Sequence, residues 1–214
     1  MNNTSAAAPC VFLVDDDPFI LRTLERILSC TSHQVQSFSS AEAFLAEADL
    51  QQAGCLVLDL SMPAMSGPLL QEHLLHCESL LPVIFLTGNG DVASSVKAMK
   101  LGAVDFLTKP VDALRLFDAV TLALKLNGKL TADRALLRSI ELRLGRLTKR
   151  EHQVMELVVA GRLNKQIAAE LGTVEHTVKL HRASVMRKMQ ADSFSDLMTT
   201  INTLRLLKPQ ASGR

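Results

Sequence analysis

Three consecutive aspartates, Asp15, Asp16 and Asp17, follow an apolar run, CVFLV at 10–14. A fourth, Asp59, lies in a second apolar run, CLVLDL at 55–60. Thr87 closes a third, PVIFLT at 82–87, and Lys109 follows AVDFLT at 103–108. Carboxylates gathered in one place raise each other's pKa, and a divalent cation relieves that repulsion. Mg²⁺ prefers hard oxygens, keeps several waters and takes one or two protein carboxylates together with phosphate. An ammonium and a hydroxyl opposite the ion would bind phosphoryl oxygens. This is equipment for phosphoryl transfer, where positioning and charge neutralisation do most of the catalysis. Each residue alone is ordinary: Asp17 before Pro18 reads as a helix cap, and a lone Thr or Lys usually lies on the surface. The specific signal is the ordered set VDDD, LDLSMPAMSG, FLTGNGD and AVDFLTKP.

Something must bring those segments together. Apolar runs at 10–14, 33–38, 55–60, 82–87 and 103–108 alternate with helical patterns near 18–30, 41–48, 66–77, 91–100 and 112–126. Strands alternating with helices predict a parallel sheet covered on both faces, an α/β doubly wound fold. The first, third and fourth runs are almost continuously apolar, as strands buried on both sides are. The second, HQVQSF, is more polar and suits an edge. In such a sheet ligands bind outside the carboxyl ends of the strands, where the acidic residues fall.

A second constellation lies in residues 147–208, where no strand pattern appears. Helices are expected near 149–160, 164–171, 175–190 and 193–206, with Gly161 and Gly172 at the first two boundaries and Asp192-Ser193 able to cap the fourth. On helix 175–190, Val178, Val185 and Met189 share one face, while His176, Leu180, Ala183 and Arg187, flanked by Lys179, gather opposite. Small apolar and basic side chains on an outward face suit the DNA major groove, where Lys bonds guanine and Leu or Ala touches thymine methyls. The turn at Gly172-Thr173 fits a helix-turn-helix. A solvated face on a small bundle is the bland alternative.

Charge supports the division. Residues 1–125 hold seven Lys and Arg against fourteen Asp and Glu, and residues 126–214 hold sixteen against eight. An acidic half joined to a basic one points to a polyanion as partner of the second. Between them, Leu126, Leu130, Leu137, Ile140, Leu144 and Leu147 follow a 4-3 rhythm interrupted by Asp133, with Asn127-Gly128 as an expected break. This stripe reads as a linker helix, packed within the chain or in a coiled coil. Cys10, Cys30, Cys55 and Cys77 form no CxxC pair and are expected as reduced thiols in or near the core. With no Trp or Tyr, the eight Phe supply the aromatic packing. No apolar run reaches the ~18 residues of a membrane span, and the N-terminus reads as no signal peptide, so a cytoplasmic protein without membrane partners is expected.

Residues 10–125 resemble the receiver domain of two-component response regulators, a five-stranded flavodoxin-like fold. By that resemblance Asp59 is the phosphoacceptor. Asp16 and Asp59 ligate Mg²⁺ directly, Asp15 acts through water, and the Ser61 backbone carbonyl adds a ligand. Thr87 and Lys109 contact the phosphoryl oxygens, Phe106 is an aromatic switch coupled to Thr87, and the Lys109-Pro110 bond is cis. Ser61 stands where a larger side chain would shade the pocket, and Val111 where related regulators often carry Phe. A haloacid-dehalogenase-like phosphatase would need an aspartate at the Ser61 position.

The segment NKQIAAELG-x4-TVKLHR is similar to the LuxR-type helix-turn-helix, and the whole arrangement resembles the NarL/FixJ group. That resemblance implies that Lys179, Leu180 and Ala183 face bases, with Arg187 on the same exposed side. Asn164, Lys165, Thr177, His181 and Arg182 would contact phosphates or brace the helices. Glu151 would stabilise the turn, and helix 193–206 would form a dimer contact. Val174 stands where the family has a small cap, so Thr173 is expected to replace it. The organisation is therefore a receiver at 1–125, a linker helix at 126–146, an all-α four-helix DNA-binding domain at 147–208 and a tail at 209–214. The implied partners are a sensor histidine kinase, double-stranded DNA and a second copy when phosphorylated, with RNA polymerase a further candidate. The intact Lys179–Arg182 segment argues against a pure protein-binding adaptor.

Overall fold

The computed structural model describes residues 8–88 and 102–208. The helix expected at 91–100 and the tail at 209–214 lie outside them. The chain divides into two compact units, Met1–Thr131 and Ala132–Arg214.

In the first unit, strands β1 (Cys10–Val14), β2 (Gln34–Phe38), β3 (Gly54–Asp59), β4 (Val83–Thr87) and β5 (Asp105–Thr108) form one parallel sheet ordered β2-β1-β3-β4-β5. Side chains alternate across it, as the two-residue strand period demands. Cys10, Phe12, Leu56, Leu58, Val83 and Phe85 pack with α2 (Ala41–Glu47) and α3 (Gly67–His76). Val11, Leu13, Cys55, Val57, Ile84 and Leu86 pack on the other face with α1 (Pro18–Leu28) and the start of α4 (Ala113–Leu144). Both faces are covered, which is why β1 is apolar throughout and β3 is apolar up to its last residue, Asp59. The mixed QVQSF strand lies at an edge. Phe12, Phe38 and Phe44 meet with ring centroids 5.4 to 6.5 Å apart.

One helical expectation fails. Asn127-Gly128 breaks nothing: α4 runs unbroken from Ala113 to Leu144. Asn127 is buried, its Oδ1 accepting from the Gly54 N–H at 3.0 Å and its Nδ2 donating to the Leu80 carbonyl at 2.8 Å. Two tertiary hydrogen bonds thus outweigh the weak helix propensity of Asn-Gly. Gly54 itself has no room for a side chain, since a Cβ there would lie 2.1 Å from the Cys10 carbonyl oxygen.

The cysteine expectation holds for two of four. Cys10 and Cys55 are buried, which pushes their thiols up to about 11 and about 12. Cys30 and Cys77 are exposed, because each follows a helix end where the chain turns at the surface. All four are free thiols.

The second unit holds the end of α4, then α5 (Lys149–Val159), α6 (Asn164–Glu170), α7 (Glu175–Met189) and α8 (Phe194–Leu207). Its core joins Val154, Val158, Ile167, Val178, Val185, Met189, Leu197 and Ile201, with Leu144 and Leu147 packed against it. The C-terminal end of the linker stripe thus packs within its own unit. Gly161 and Gly172 take positive φ of 78° and 62° and close α5 and α6 by Schellman turns, Arg162 N–H to Leu157 O at 3.0 Å and Thr173 N–H to Ala168 O at 2.9 Å. Ser193 caps α8 in a box with Asp196. Among the described residues no helix is long and apolar enough to cross a membrane.

Candidate functional site

The switch in strand order falls between β1 and β3; an aspartate directly follows β1 and another ends β3. Asp15, directly after β1, is fully buried, Asp59 at the end of β3 is almost so, and Asp16 is exposed. One carboxylate oxygen from each of the three lies within 4.8 Å of the others. Lys109, beyond β5, reaches in: its Nζ stands 2.7 Å from Asp15 Oδ2 and 3.1 Å from Asp59 Oδ1. Asp15 Oδ1 accepts the Asp17 N–H at 3.0 Å, and Asp17 caps α1 by accepting from Phe19 N–H at 2.8 Å. Asp17 therefore belongs to the helix, and the other two aspartates face the cluster.

The titration of the pair follows from this geometry. Burial pushes the Asp59 carboxyl up; the Lys109 hydrogen bond draws it down, and the neighbouring Asp15 charge raises it again, for a net rise. Burial works against the Lys109 charge, but hydrogen bonds to Asp15 and Asp59 outweigh it and hold the ammonium above its usual value. Three carboxylates facing one ammonium leave excess negative charge in a partly buried site. A hard divalent cation fits that donor set.

Position is enforced from below. Gly67, the first residue of α3, lies so close that a Cβ would stand 2.4 Å from the Asp59 carbonyl oxygen and 2.8 Å from Phe85 Cε1. No sequence argument singled this glycine out, although it closes the LDLSMPAMSG segment. Ser61 is exposed two residues beyond Asp59. Thr87 pairs with Thr108 across β4 and β5, and its carbonyl accepts from Lys109 N–H at 2.8 Å. The Thr87 hydroxyl donates to the Gly88 carbonyl at 2.8 Å, so Asp15, Asp16, Asp59 and Lys109 meet while this hydroxyl bonds its own loop. Phe106 is half-buried and stacked on Phe85 at 5.3 Å. Val111 packs against the second face of the sheet. The Lys109-Pro110 peptide is cis.

In the second unit, α7 buries Val178, Val185 and Met189 and leaves His176, Lys179, Leu180, Ala183 and Arg187 exposed. Leu180 is 59% exposed, a large apolar side chain on a basic face. Lys179 pairs loosely with Glu175 at 3.7 Å. Lys165 is exposed, and Thr177 and His181 are half-exposed. Arg182 donates from Nη1 to Asn164 Oδ1 at 3.1 Å, linking α7 to α6. Glu151 is almost fully buried and holds several partners. It completes a capping box with Thr148, its Oε1 accepts from Ser184 at 2.7 Å, and its Oε2 pairs with Lys188 Nζ at 2.6 Å. The Lys188 bond, then those of Ser184 and Thr148, hold the Glu151 carboxyl down to about 2. One expectation is corrected here: the N-cap of α7 is Val174, without a side-chain cap bond. Thr173 does not substitute, because the turn that ends α6 leaves it one residue ahead of the N-cap position, which Val174 occupies.

Known proteins match both units. The response regulator receiver domain model matches residues 11–121, and that of bacterial regulatory proteins of the LuxR family matches residues 145–201. The response regulator protein TodT of Pseudomonas putida is 38% identical over 205 residues, covering 96% of this chain and 90% of TodT. The transcriptional regulatory protein FixJ of Rhizobium meliloti is 42% identical over 188 residues, covering 88% and 92%. A solved structure of the response regulator StyR aligns with a TM-score of 0.83 at 41% identity, covering 92% of this chain and 99% of that one. Receiver unit, helix-turn-helix unit and relatives agree: this chain belongs to the NarL/FixJ-type response regulators of two-component systems, which join a receiver domain to a LuxR-type DNA-binding domain.

Proposed function

We propose that Asp59 accepts a phosphoryl group from a sensor histidine kinase in the cytoplasm, and that this controls transcription through sequence-specific DNA binding. The observation that carries the reading is the convergence of Asp15, Asp16 and Asp59 with the Lys109 ammonium at the carboxyl ends of β1, β3 and β5. An Asp59 carboxylate oxygen attacks phosphorus, the P–N bond of the donor phosphohistidine breaks, and the imidazole leaves. Lys109 offers its ammonium to the phosphoryl oxygens, and Thr87 its hydroxyl once released from the Gly88 carbonyl. Mg²⁺ held by Asp15, Asp16, Asp59 and the Ser61 carbonyl would neutralise phosphoryl charge. Phe106, packed on Phe85, would follow Thr87.

We assign residues 1–125 to the receiver, 126–146 to the linker and 147–208 to the DNA-binding domain. Lys179, Leu180 and Ala183 read base edges, with Arg187 on the same DNA-facing side, while Asn164, Lys165, Thr177, His181 and Arg182 contact phosphates or brace the helices. Phosphorylation favours a homodimer, with the last helix as one contact. RNA polymerase is a further partner. The test is Mg²⁺-dependent incorporation of phosphoryl from acetyl phosphate, or of beryllofluoride. Asp59→Asn should abolish it, and full labelling of that variant would refute the acceptor assignment.

A further inference from the structure

The recognition helix α7 is held differently at its two ends. Its N-terminus has no side-chain cap, and the exposed residues near it, His176, Lys179 and Leu180, face solvent. Its C-terminus is gripped. Glu151 takes Ser184 and Lys188. Arg143, one residue before the end of α4, donates from Nη1 to the carbonyl of Met189, the last residue of α7, at 3.1 Å. The same guanidinium donates from Nη2 to Ser139 Oγ at 3.1 Å, one turn back on α4. Around it, Ile140 is 1% exposed, Leu144 packs on the helical core, and Glu141 pairs with Lys208 of the chain just beyond α8 at 3.0 Å. The final turns of α4 are therefore part of the helix-turn-helix unit, although the matched family segment begins only at residue 145.

A cation at a helix C-terminus meets the orphan carbonyls and the negative end of the helix dipole. Arginine is suited to this place because one planar fork satisfies two acceptors at fixed angles. We propose that Arg143, oriented by Ser139, is a positioning residue for DNA recognition: a linker side chain that sets the seat of α7 without touching DNA. This rests on the DNA-binding reading of α7.

The experiment uses full-length protein activated with Mg²⁺ and beryllofluoride and two probes: a duplex enriched by the wild-type chain from a random-sequence pool, and poly(dI-dC). Affinity is measured against salt, alongside thermal unfolding. Arg143→Met should lower affinity for the enriched duplex about tenfold, the scale of a well-placed charge at a helix end. Affinity for poly(dI-dC), and both salt slopes, should stay unchanged. Arg143→Lys, which keeps the charge but loses the fork, should recover part of the loss. Ser139→Ala, a milder change at an exposed position, should reproduce a smaller loss in the same direction. A salt slope reduced by about one unit would make Arg143 a phosphate contact and overturn the proposal. So would unchanged selectivity in folded Arg143→Met and Ser139→Ala. A wild-type chain that enriches no duplex would instead overturn the DNA-binding reading beneath it.

Discussion

The carboxylate pocket and the outer face of α7 are both charged sites, but they are built in opposite ways. In the pocket, Asp15 and Asp59 are buried and ion-paired with Lys109, and Gly67 presses on the Asp59 backbone. On α7, Lys179, Ala183 and Arg187 stand in solvent with few partners. A site for one small phosphoryl group needs its charges desolvated and fixed beforehand, since it has only a few oxygens to grip. A site for a polyanion gathers affinity from many weak contacts and released counterions, so its charges must remain exposed. In the first site function and stability share the same atoms; in the second they are separable.

That separation can be broken by mutation. The largest effect is expected for Gly67→Ala, whose new Cβ would meet backbone and the Phe85 ring. The receiver should lose about 3 kcal/mol in urea titration, the upper range for overpacking, together with phosphoryl incorporation. A stable, active variant would show the pocket to be looser than its geometry. Next is Glu151→Gln, inside the DNA-binding unit yet built like the pocket. It should cost about 2 kcal/mol, the worth of hydrogen bonds to a charged group. It should also change the acid response. The Glu151 carboxyl is lowered from 4.5 to about 2, so its stabilisation is full above pH 4.5 and drains away as pH falls toward 2. Wild type and variant should therefore converge across that window, read by amide exchange in α7; curves that stay parallel would remove the charge from the account. The smallest effect on stability belongs to Lys179→Ala, within about 0.5 kcal/mol. The same change should cost about 1–3 kcal/mol of discrimination among DNA sequences. A large stability loss there would mean that the exposed face also supports the fold.

Sequence and structure agree where one physical demand dominates. Strands buried on both sides must be almost continuously apolar, so CVFLV, CLVLDL and PVIFLT could be read directly, and the aspartates after the first and near the end of the second marked the pocket rim. Val178, Val185 and Met189 were legible by helical spacing alone. Readings failed where a distant partner decides. Asn127-Gly128 reads locally as a break, yet Gly54 and Leu80 lie dozens of residues away and convert it into an anchor. Thr173 reads as a cap, but the turn closing the preceding helix leaves it one residue ahead of the N-cap position. Gly67 is invisible as a requirement until β3, β4 and α3 converge. Arg143 was one basic residue among many on the linker until its carbonyl partner on α7 came into view.

Asn127 has a consequence for how this chain can change in length. Its amide offers one acceptor and one donor to two different backbone groups, so its height and rotation on α4 are both fixed. A residue inserted between Ala113 and Asn127 would turn the amide by about 100° and lift it about 1.5 Å off both partners. The same arithmetic applies after Ser139, where Arg143 must meet Met189. A residue inserted within 128–138 would leave the hydrogen bonds of both anchors intact, whereas one inserted at 114–127 or 140–143 would break one of them.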